Sequence, residues 1–235
     1  MDIAANLAEV LANIEQAQQR SAYAAKRVRL LAVSKTKPIE MIRAAFQAGQ
    51  REFGENRVQE LAPKQEALPE ADWHLIGHLQ TNKVKYIIGK TKLIHSLDSI
   101  ALADEIEKRG SRADVVSDCL VQVNIAEEES KSGLFVPELA DFITAMADYP
   151  HIRIAGLMTI GPVVADPEEI RPVFAELRRL FLREQARALP YTDMRWLSMG
   201  MSHDYPVAVE EGANIVRVGS SIFGSRDYSL QENQR

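Results

Sequence analysis

The chain has 235 residues, of which 46% are hydrophobic and 26% charged, and this suits one α/β domain with a full buried core. Its formal net charge of −5 and its lack of a basic tract argue against nucleic acid and anionic membranes as partners. A small anion such as a phosphate can still bind, because backbone amides and one or two cations suffice.

Targeting signals and disulfides are not indicated. The amino terminus has neither a basic start nor a continuous apolar stretch, and no run approaches the roughly 18 apolar residues of a membrane span. The single cysteine, Cys119, cannot form a disulfide within the chain and lies in an apolar run, so we expect it to be buried. These features predict a cytoplasmic protein in a reducing compartment, with no membrane partner.

Hydrophobic periodicity predicts that strands and helices alternate along the chain. An opening amphipathic helix has apolar residues at positions 3, 7, 10, 11 and 14. The β-type runs that follow lie at 28–33, 52–54, 73–76, 93–97, 119–123, 152–158, 195–197 and 215–218. The helical segments after them lie at 38–46, 58–68, 81–88, 100–109, 137–147, 167–188 and 205–211, with a last short helix near Ile222.

Eight such units favour parallel pairing and, in a chain of this length, closure of the sheet. The predicted fold class is α/β: one (β/α)8 TIM barrel over residues 1–235, with an extra N-terminal helix. Because a barrel can stand alone, we expect a monomer. The alternative is an open doubly wound sheet, which usually has a glycine-rich phosphate loop after its first strand. Here the first strand leads into SKTKP at 34–38, which contains no glycine.

Barrel enzymes build their sites at the carboxyl ends of the strands, and Lys35 follows the first strand. Because side chains alternate along a strand, Leu31, Val33 and Lys35 share the face that we expect to point into the barrel. A lysine desolvated there has a lowered pKa and a neutral amine that can form an imine with an aldehyde. The alternative is a solvated lysine at the end of a strand.

The loops after the last two predicted strands are small and polar, with GMS at 200–202 and GSS at 219–221. Barrels commonly bind phosphate in these two loops, where glycines let the backbone approach an anion. They could equally be ordinary turns. We expect His203 and Asp204 to begin the seventh helix, with Ser202 as a candidate cap.

Arg217 lies inside the apolar last strand, where a buried guanidinium needs a partner. The partner could be a core carboxylate or the ring nitrogen of a ligand. His74 and His78 are four residues apart, but the first lies on a strand, so the two do not share a helical face. Since zinc needs at least three convergent protein ligands, no metal site is predicted.

Seven segments, in this order, resemble the pyridoxal phosphate homeostasis proteins over about residues 28–228. They are LAVSKTKP at 31–38, FGEN at 53–56, WHLIGHLQTNK at 73–83, SKSG at 130–133, GLM at 156–158, LSMGMS at 197–202 and VRVGSSIFG at 216–224. Each segment is weak alone, and together they are specific. The resemblance implies the barrel of the alanine racemase N-terminal domain and pyridoxal 5′-phosphate (PLP) as the cofactor.

The resemblance also implies a set of cofactor-binding residues: Lys35, Asn56, Met201, Ser202, Arg217, Gly219 and Ser220. In this set, Lys35 carries the cofactor as an aldimine, and Arg217 faces the pyridine nitrogen. Ser202 and the Gly219–Ser220 pair hold the phosphate, and Asn56 lies near the ring. Two positions depart from the family pattern. Arg57 stands where many members have an aromatic residue, and at position 220 serine replaces the frequent threonine but keeps its hydroxyl.

The family is associated with cofactor supply and with control of free PLP, a reactive aldehyde, rather than with robust catalysis. The resemblance therefore implies a carrier or regulator, with apo forms of PLP enzymes as candidate recipients. The alternative is a PLP-dependent amino-acid racemase with Lys35 as one base. It needs a second base, for which His78 and Lys37 are the candidates, and a second β-rich domain. Seventeen residues follow the predicted last strand, too few for that domain.

Overall fold

The computed structural model describes residues 1–23, 27–128 and 131–224, and its centre is a closed barrel of eight parallel strands. The strands are β1 Arg29–Val33, β2 Glu52–Glu55, β3 Asp72–Leu75, β4 Leu93–Leu97, β5 Ser117–Gln122, β6 Ile152–Met158, β7 Thr192–Ser198 and β8 Ile215–Val218. Each strand pairs with the next one in sequence, and β1 closes the barrel against β8, with Leu31 opposite Arg217. The predicted barrel is confirmed, and the open sheet is excluded.

Helices cover the outside of the barrel. They are α1 Ile3–Arg20, α2 Ile39–Gln47, α3 Val58–Ala67, α4 Ile100–Ala113, α5 Leu139–Ala145, α6 Arg171–Ala186, α7 Tyr205–Glu210 and α8 Ser220–Phe223. Short 3-10 segments lie at Thr81–Tyr86, Val136–Glu138, Met146–Asp148 and Pro167–Ile170. Within the described ranges, no helix is long and apolar enough to cross a membrane.

The helical segment predicted at 81–88 is present as a 3-10 helix over Thr81–Tyr86. Val84 and Ile87 are completely buried, and their spacing of three residues matches the 3-10 period. Strand β7 begins three residues earlier than predicted, at Thr192, since the polar residues Thr192 and Asp193 obscure its apolar pattern.

Side chains of the strands form two apolar layers. Leu31 and Val33 of β1 point into the barrel, where they join a cluster with Ile76, Leu93, Leu120, Ala155, Met158 and Ile215. Leu30 and Ala32 point outwards into the larger core between strands and helices. Cys119 lies fully buried in that outer core, which confirms the prediction of a small buried hydrophobe. Lys35 lies in the turn after β1 and lines the same pocket as the inward-facing Val33.

Gly156 allows β6 and β7 to pack closely at an irregular point in their pairing. Its φ is +151°, and a Cβ there would lie 1.8 Å from the Trp196 carbonyl oxygen. The register between the strands shifts at this point and then places Met158 beside Ser198. Thr159, the next residue, and Ser198 therefore meet at the rim of the barrel.

Candidate functional site

A pocket of about 540 Å³ opens at the carboxyl ends of the strands. Its lining includes residues from the loops after β1, β2, β3, β5, β6, β7 and β8. All the predicted cofactor-binding residues line it: Lys35, Asn56, Met201, Ser202, Arg217, Gly219 and Ser220. The fold thus brings the predicted set together, and its role as a set of ligands stays a prediction.

Lys35 lies half-buried in a tight turn between β1 and α2. The Lys37 N–H donates to the Ser34 carbonyl over 3.0 Å, and Thr36 between them has a φ of 64°. A β-branched residue is strained in this left-handed region. A carboxylate oxygen of Glu60 holds the turn by accepting the Thr36 N–H at 2.7 Å. Tertiary contacts therefore fix the backbone on both sides of Lys35.

A buried ion pair lies next to this turn. Glu55, fully buried at the end of β2, accepts hydrogen bonds from Ser34 Oγ at 2.6 Å and from Lys64 Nζ at 2.7 Å. Lys64 also donates to the Ser34 carbonyl at 2.9 Å. Burial raises the pKa of Glu55, and the charge of Lys64 partly offsets this rise. The pair links α3 to β1 and β2. Removal of either partner would leave a buried charge uncompensated and would destabilise the fold.

Lys37 lines the pocket but also contacts the end of the last helix. Its ammonium group donates to the carbonyl oxygens of Phe223 and Gly224 at 2.9 and 3.0 Å. Carbonyls at the end of a helix are a favourable place for a cation. These contacts tie the turn after β1 to α8.

The loops after β7 and β8 meet through a hydrogen bond between their small residues. The Gly219 N–H donates to Ser202 Oγ over 3.1 Å, and the Ser202 hydroxyl keeps its own proton for a further acceptor. Gly219 also approaches β1, because a Cβ there would lie 3.0 Å from the Val33 carbonyl oxygen. Next to it, Ser220 begins α8, and the first N–H groups of a helix have no intrahelical acceptor.

The prediction of Ser202 as the cap of the seventh helix is wrong. Helix α7 begins at Tyr205 with Asp204 in the capping position, and the Asp204 carboxylate accepts the Met201 N–H at 2.6 Å. Asp204 is therefore used to close the loop, and the Ser202 hydroxyl is directed to the neighbouring loop instead. Burial raises the pKa of Asp204, and its hydrogen bond to Met201 opposes the rise.

Arg217 lies in the pocket with its side chain almost completely buried. One terminal nitrogen donates to Ser198 Oγ at 2.7 Å, and the other donates to the Thr159 carbonyl at 2.8 Å. Both partners are uncharged, so the alternative of a carboxylate partner finds no support among the described contacts. Burial lowers the pKa of Arg217 to about 10, and the charge of Asp204 partly offsets this. The guanidinium is thus still a cation at neutral pH.

Two buried histidines continue this hydrogen-bonded series across the barrel. His95 Nδ1 lies 3.1 Å from Ser198 Oγ, and His95 Nε2 lies 3.0 Å from His74 Nδ1. Burial lowers the pKa of His74 to about 3 and that of His95 well below its usual value. Both rings are therefore neutral, and each can donate one hydrogen bond and accept one.

The other side of the pocket is more open. His78 is exposed, and its Nδ1 lies 3.8 Å from a carboxylate oxygen of Asp98. Asn56 is half-buried beside Gly77, where a Cβ would lie 2.3 Å from the Asn56 carbonyl oxygen. Lys83 lies against Tyr86, with its ammonium group 5.9 Å from the ring centroid.

Several residues of the site were not singled out from the sequence. His95 and Thr159 belong to the buried series, and Gln122 lines the pocket. Strand alternation could have identified His95 as inward-facing, because it lies two residues after the inward-facing Leu93. In the SKSG segment, residues 131 and 132 line the pocket, whereas Ser130 and residues 225–228 lie outside the described residues.

Comparisons with known proteins agree with this architecture. The family model of the alanine racemase N-terminal domain matches residues 5–227. A solved alanine racemase from Corynebacterium glutamicum is similar in fold, with 15% identity and a TM-score of 0.72 over 96% of this chain and 61% of that one. The fold and the pocket therefore define a barrel of the alanine racemase N-terminal class.

Curated relatives narrow the class to one family. A pyridoxal phosphate homeostasis protein of Aquifex aeolicus is 46% identical over 97% of this chain and 100% of its own length. One from Escherichia coli K12 is 37% identical over 97% and 98%. Structures of PipY from Synechococcus elongatus, without PLP and with PLP bound, are 36% identical, with TM-scores of 0.84 and 0.81 over 94% of this chain and 100% of theirs. The chain belongs to the pyridoxal phosphate homeostasis protein family.

The neutral histidine pair predicts a specific loss of stability in acid. The unfolded chain binds a proton at His74 below pH 6.5, whereas the folded chain binds it only below about pH 3. The contribution of His74 is therefore complete above pH 6.5 and is lost as the pH falls from 6.5 towards 3. We expect His74→Gln to reduce the slope of unfolding free energy against pH by about 1.4 kcal/mol per pH unit in this window.

Urea unfolding at a series of pH values measures this slope. His203→Gln is the matched control, because His203 is an exposed histidine that takes no part in the His74–His95 contact. An unchanged slope in His74→Gln would contradict the neutral, buried state of this ring.

Proposed function

We propose that this chain binds PLP in the pocket at the carboxyl ends of the strands and acts in intracellular PLP homeostasis. In this proposal it is a carrier or regulator rather than an enzyme with robust turnover. The observation that carries the proposal is the convergence of Lys35, Arg217 and the Ser202–Gly219 contact on one pocket. Family membership supports it, as does the PLP-bound structure of PipY, a relative with 36% identity.

The residues present fit the chemistry of this cofactor. The pocket volume is within the range of small-molecule sites. Lys35 supplies an amine, Ser202 and Ser220 supply hydroxyl donors for a phosphate, and Arg217 supplies a fixed donor for a ring nitrogen. When bound, PLP supplies an aldehyde to which the Lys35 nitrogen bonds as a Schiff base, with loss of one water.

Lys35 is the proposed covalent attachment site. Borohydride reduction of the PLP-loaded protein should fix a pyridoxyl group on Lys35, and Lys35→Ala should abolish the yellow, reducible adduct. Lys37→Ala is the matched control, because Lys37 is two residues away and already donates to the carbonyls at the end of α8. Mass spectrometry of peptides identifies the modified lysine. A pyridoxyl group found mainly on Lys37 or Lys83 would show that this assignment is wrong.

Ser202 and Ser220 are the proposed phosphate donors, beside Gly219. We expect Ser202→Ala and Ser220→Ala each to weaken PLP binding about tenfold, because each removes a hydrogen bond to a charged oxygen. Binding of pyridoxal, which lacks the phosphate, should change little. Ser221→Ala is the control, since Ser221 also lies on α8 but does not line the pocket. Equal wild-type affinity for PLP and pyridoxal, measured by fluorescence titration, would rule out a phosphate site here.

The racemase alternative requires a second base opposite Lys35. Of the two candidates, Lys37 is engaged by the carbonyls of Phe223 and Gly224, and His78 is exposed beside Asp98. Arg217 does not readily give up a proton, so a ring nitrogen facing it stays unprotonated and stabilises a carbanion poorly. This disfavours transamination and β-elimination, whereas racemisation tolerates such a ring and depends on the second base. These features favour binding without turnover.

Proton exchange at the α-carbon tests this preference. We expect no significant deuterium incorporation into D- or L-alanine incubated with the PLP-loaded protein in heavy water and followed by NMR. A genuine alanine racemase serves as the positive control. Exchange on the order of 1 per second or faster would overturn the carrier proposal and favour the racemase.

The remaining parts of the proposal concern location and partners. We place the protein in the cytoplasm, because its single cysteine, Cys119, is buried and suits a reducing compartment. We further propose that it is a monomer and that apo forms of PLP enzymes receive the cofactor from it.

A further inference from the structure

The buried polar series behind the pocket joins four strands of the barrel. Arg217 belongs to β8, Ser198 to β7, His95 to β4 and His74 to β3. Their relative exposures are 4%, 0%, 0% and 2%, and successive polar atoms lie 2.7, 3.1 and 3.0 Å apart. Polar groups this deep in a barrel are costly unless their hydrogen bonds are satisfied, so their presence calls for a physical reason.

Ser198 is the junction of the series. Its single oxygen contacts both a terminal nitrogen of Arg217 and His95 Nδ1. The other terminal nitrogen of Arg217 is held by the Thr159 carbonyl, and Thr159 is itself fixed by a 2.7 Å hydrogen bond from its hydroxyl to the Val123 carbonyl. The guanidinium plane is therefore held at both ends, which leaves its remaining N–H groups in a defined direction.

The neutrality of the series matters as much as its geometry. A carboxylate at the position of Ser198 would form an ion pair with Arg217 and compete for its charge. A protonated histidine at the position of His95 would repel it. Two neutral rings and a hydroxyl avoid both effects, so the charge of Arg217 stays available to a group in the pocket.

We propose that Ser198 and His95 are positioning residues that aim the Arg217 guanidinium at the ring nitrogen of the bound pyridine. This inference rests on the proposed function, because it assumes PLP in the pocket with its ring nitrogen towards Arg217. It assigns to the buried series a role in ligand recognition, beyond filling the barrel interior.

The test compares PLP with 1-deaza-PLP, in which the ring nitrogen is replaced by C–H. Both ligands keep the aldehyde and the phosphate. Only PLP has a ring nitrogen that can accept a hydrogen bond from Arg217. We expect the wild type to prefer PLP at least about tenfold, as suits a charge-assisted hydrogen bond. In Ser198→Ala the preference should fall to about threefold or less, through weaker binding of PLP and nearly unchanged binding of the deaza analogue.

His95→Leu is a second variant. It keeps the Ser198 hydroxyl but removes the hydrogen bond between Ser198 and His95. We expect it also to lower the preference for PLP over 1-deaza-PLP. His95→Gln should restore much of the preference by offering a donor to Ser198. Ser96→Ala is the matched control, because Ser96 is a fully buried serine next to His95 whose hydroxyl has no partner among the described residues.

A purely structural role would weaken both ligands equally in Ser198→Ala and His95→Leu, and an unchanged preference in these variants would overturn the inference. A wild type that binds both ligands equally would overturn the inference together with the assignment of Arg217 to the ring nitrogen. A wild type that binds neither ligand would overturn the proposed function itself, and the inference with it. The three failures are thus distinguishable.

Discussion

The Arg217 guanidinium is a positive charge inside the barrel, and its described hydrogen-bond partners are uncharged. Desolvation of a cation is expensive, and burial lowers the pKa of this group to about 10 without neutralising it near pH 7. The surrounding side chains are arranged to accept its N–H groups: a hydroxyl from β7, a carbonyl from the end of β6 and, behind the hydroxyl, two neutral histidines. The apolar cluster of Leu31, Leu93 and Met158 fills the rest of the interior.

The register of the barrel relates this charge to Lys35. Leu31 pairs with Arg217, and Lys35 follows four residues later on the same chain segment. β1 ends at Val33, so Lys35 lies two residues into the following turn, and both Lys35 and Arg217 line the same pocket. Glu60 holds the turn at Thr36 on the lysine side of the pocket, and the Ser198 contact holds the guanidinium on the arginine side.

The barrel could be predicted from the sequence because it follows from periodicity, whereas the full set of pocket residues was implied by the resemblance to a known family. The alternation of Leu31 and Val33 with Leu30 and Ala32 placed Lys35 on the inner face, and the small polar loops after the last two strands indicated where an anion would bind. The parts that could not be predicted depend on contacts between residues distant in sequence. The histidine pair joins β3 to β4, and the Ser202 hydroxyl acts across two loops, where a local capping rule assigned it to its own helix.

The same interaction that makes Arg217 a good binding group makes it a poor group for catalysis in the proposed complex. A carboxylate facing a pyridine nitrogen would favour protonation of that nitrogen and turn the ring into a strong electron sink. A guanidinium donates a hydrogen bond but keeps its proton, so the ring is held in place with little activation. Among the described residues, no carboxylate is hydrogen-bonded to Arg217 or takes part in the Ser198–His95 series. With PLP bound as proposed, such a site would hold the ring without protonating its nitrogen, which would disfavour transamination and β-elimination without weakening binding.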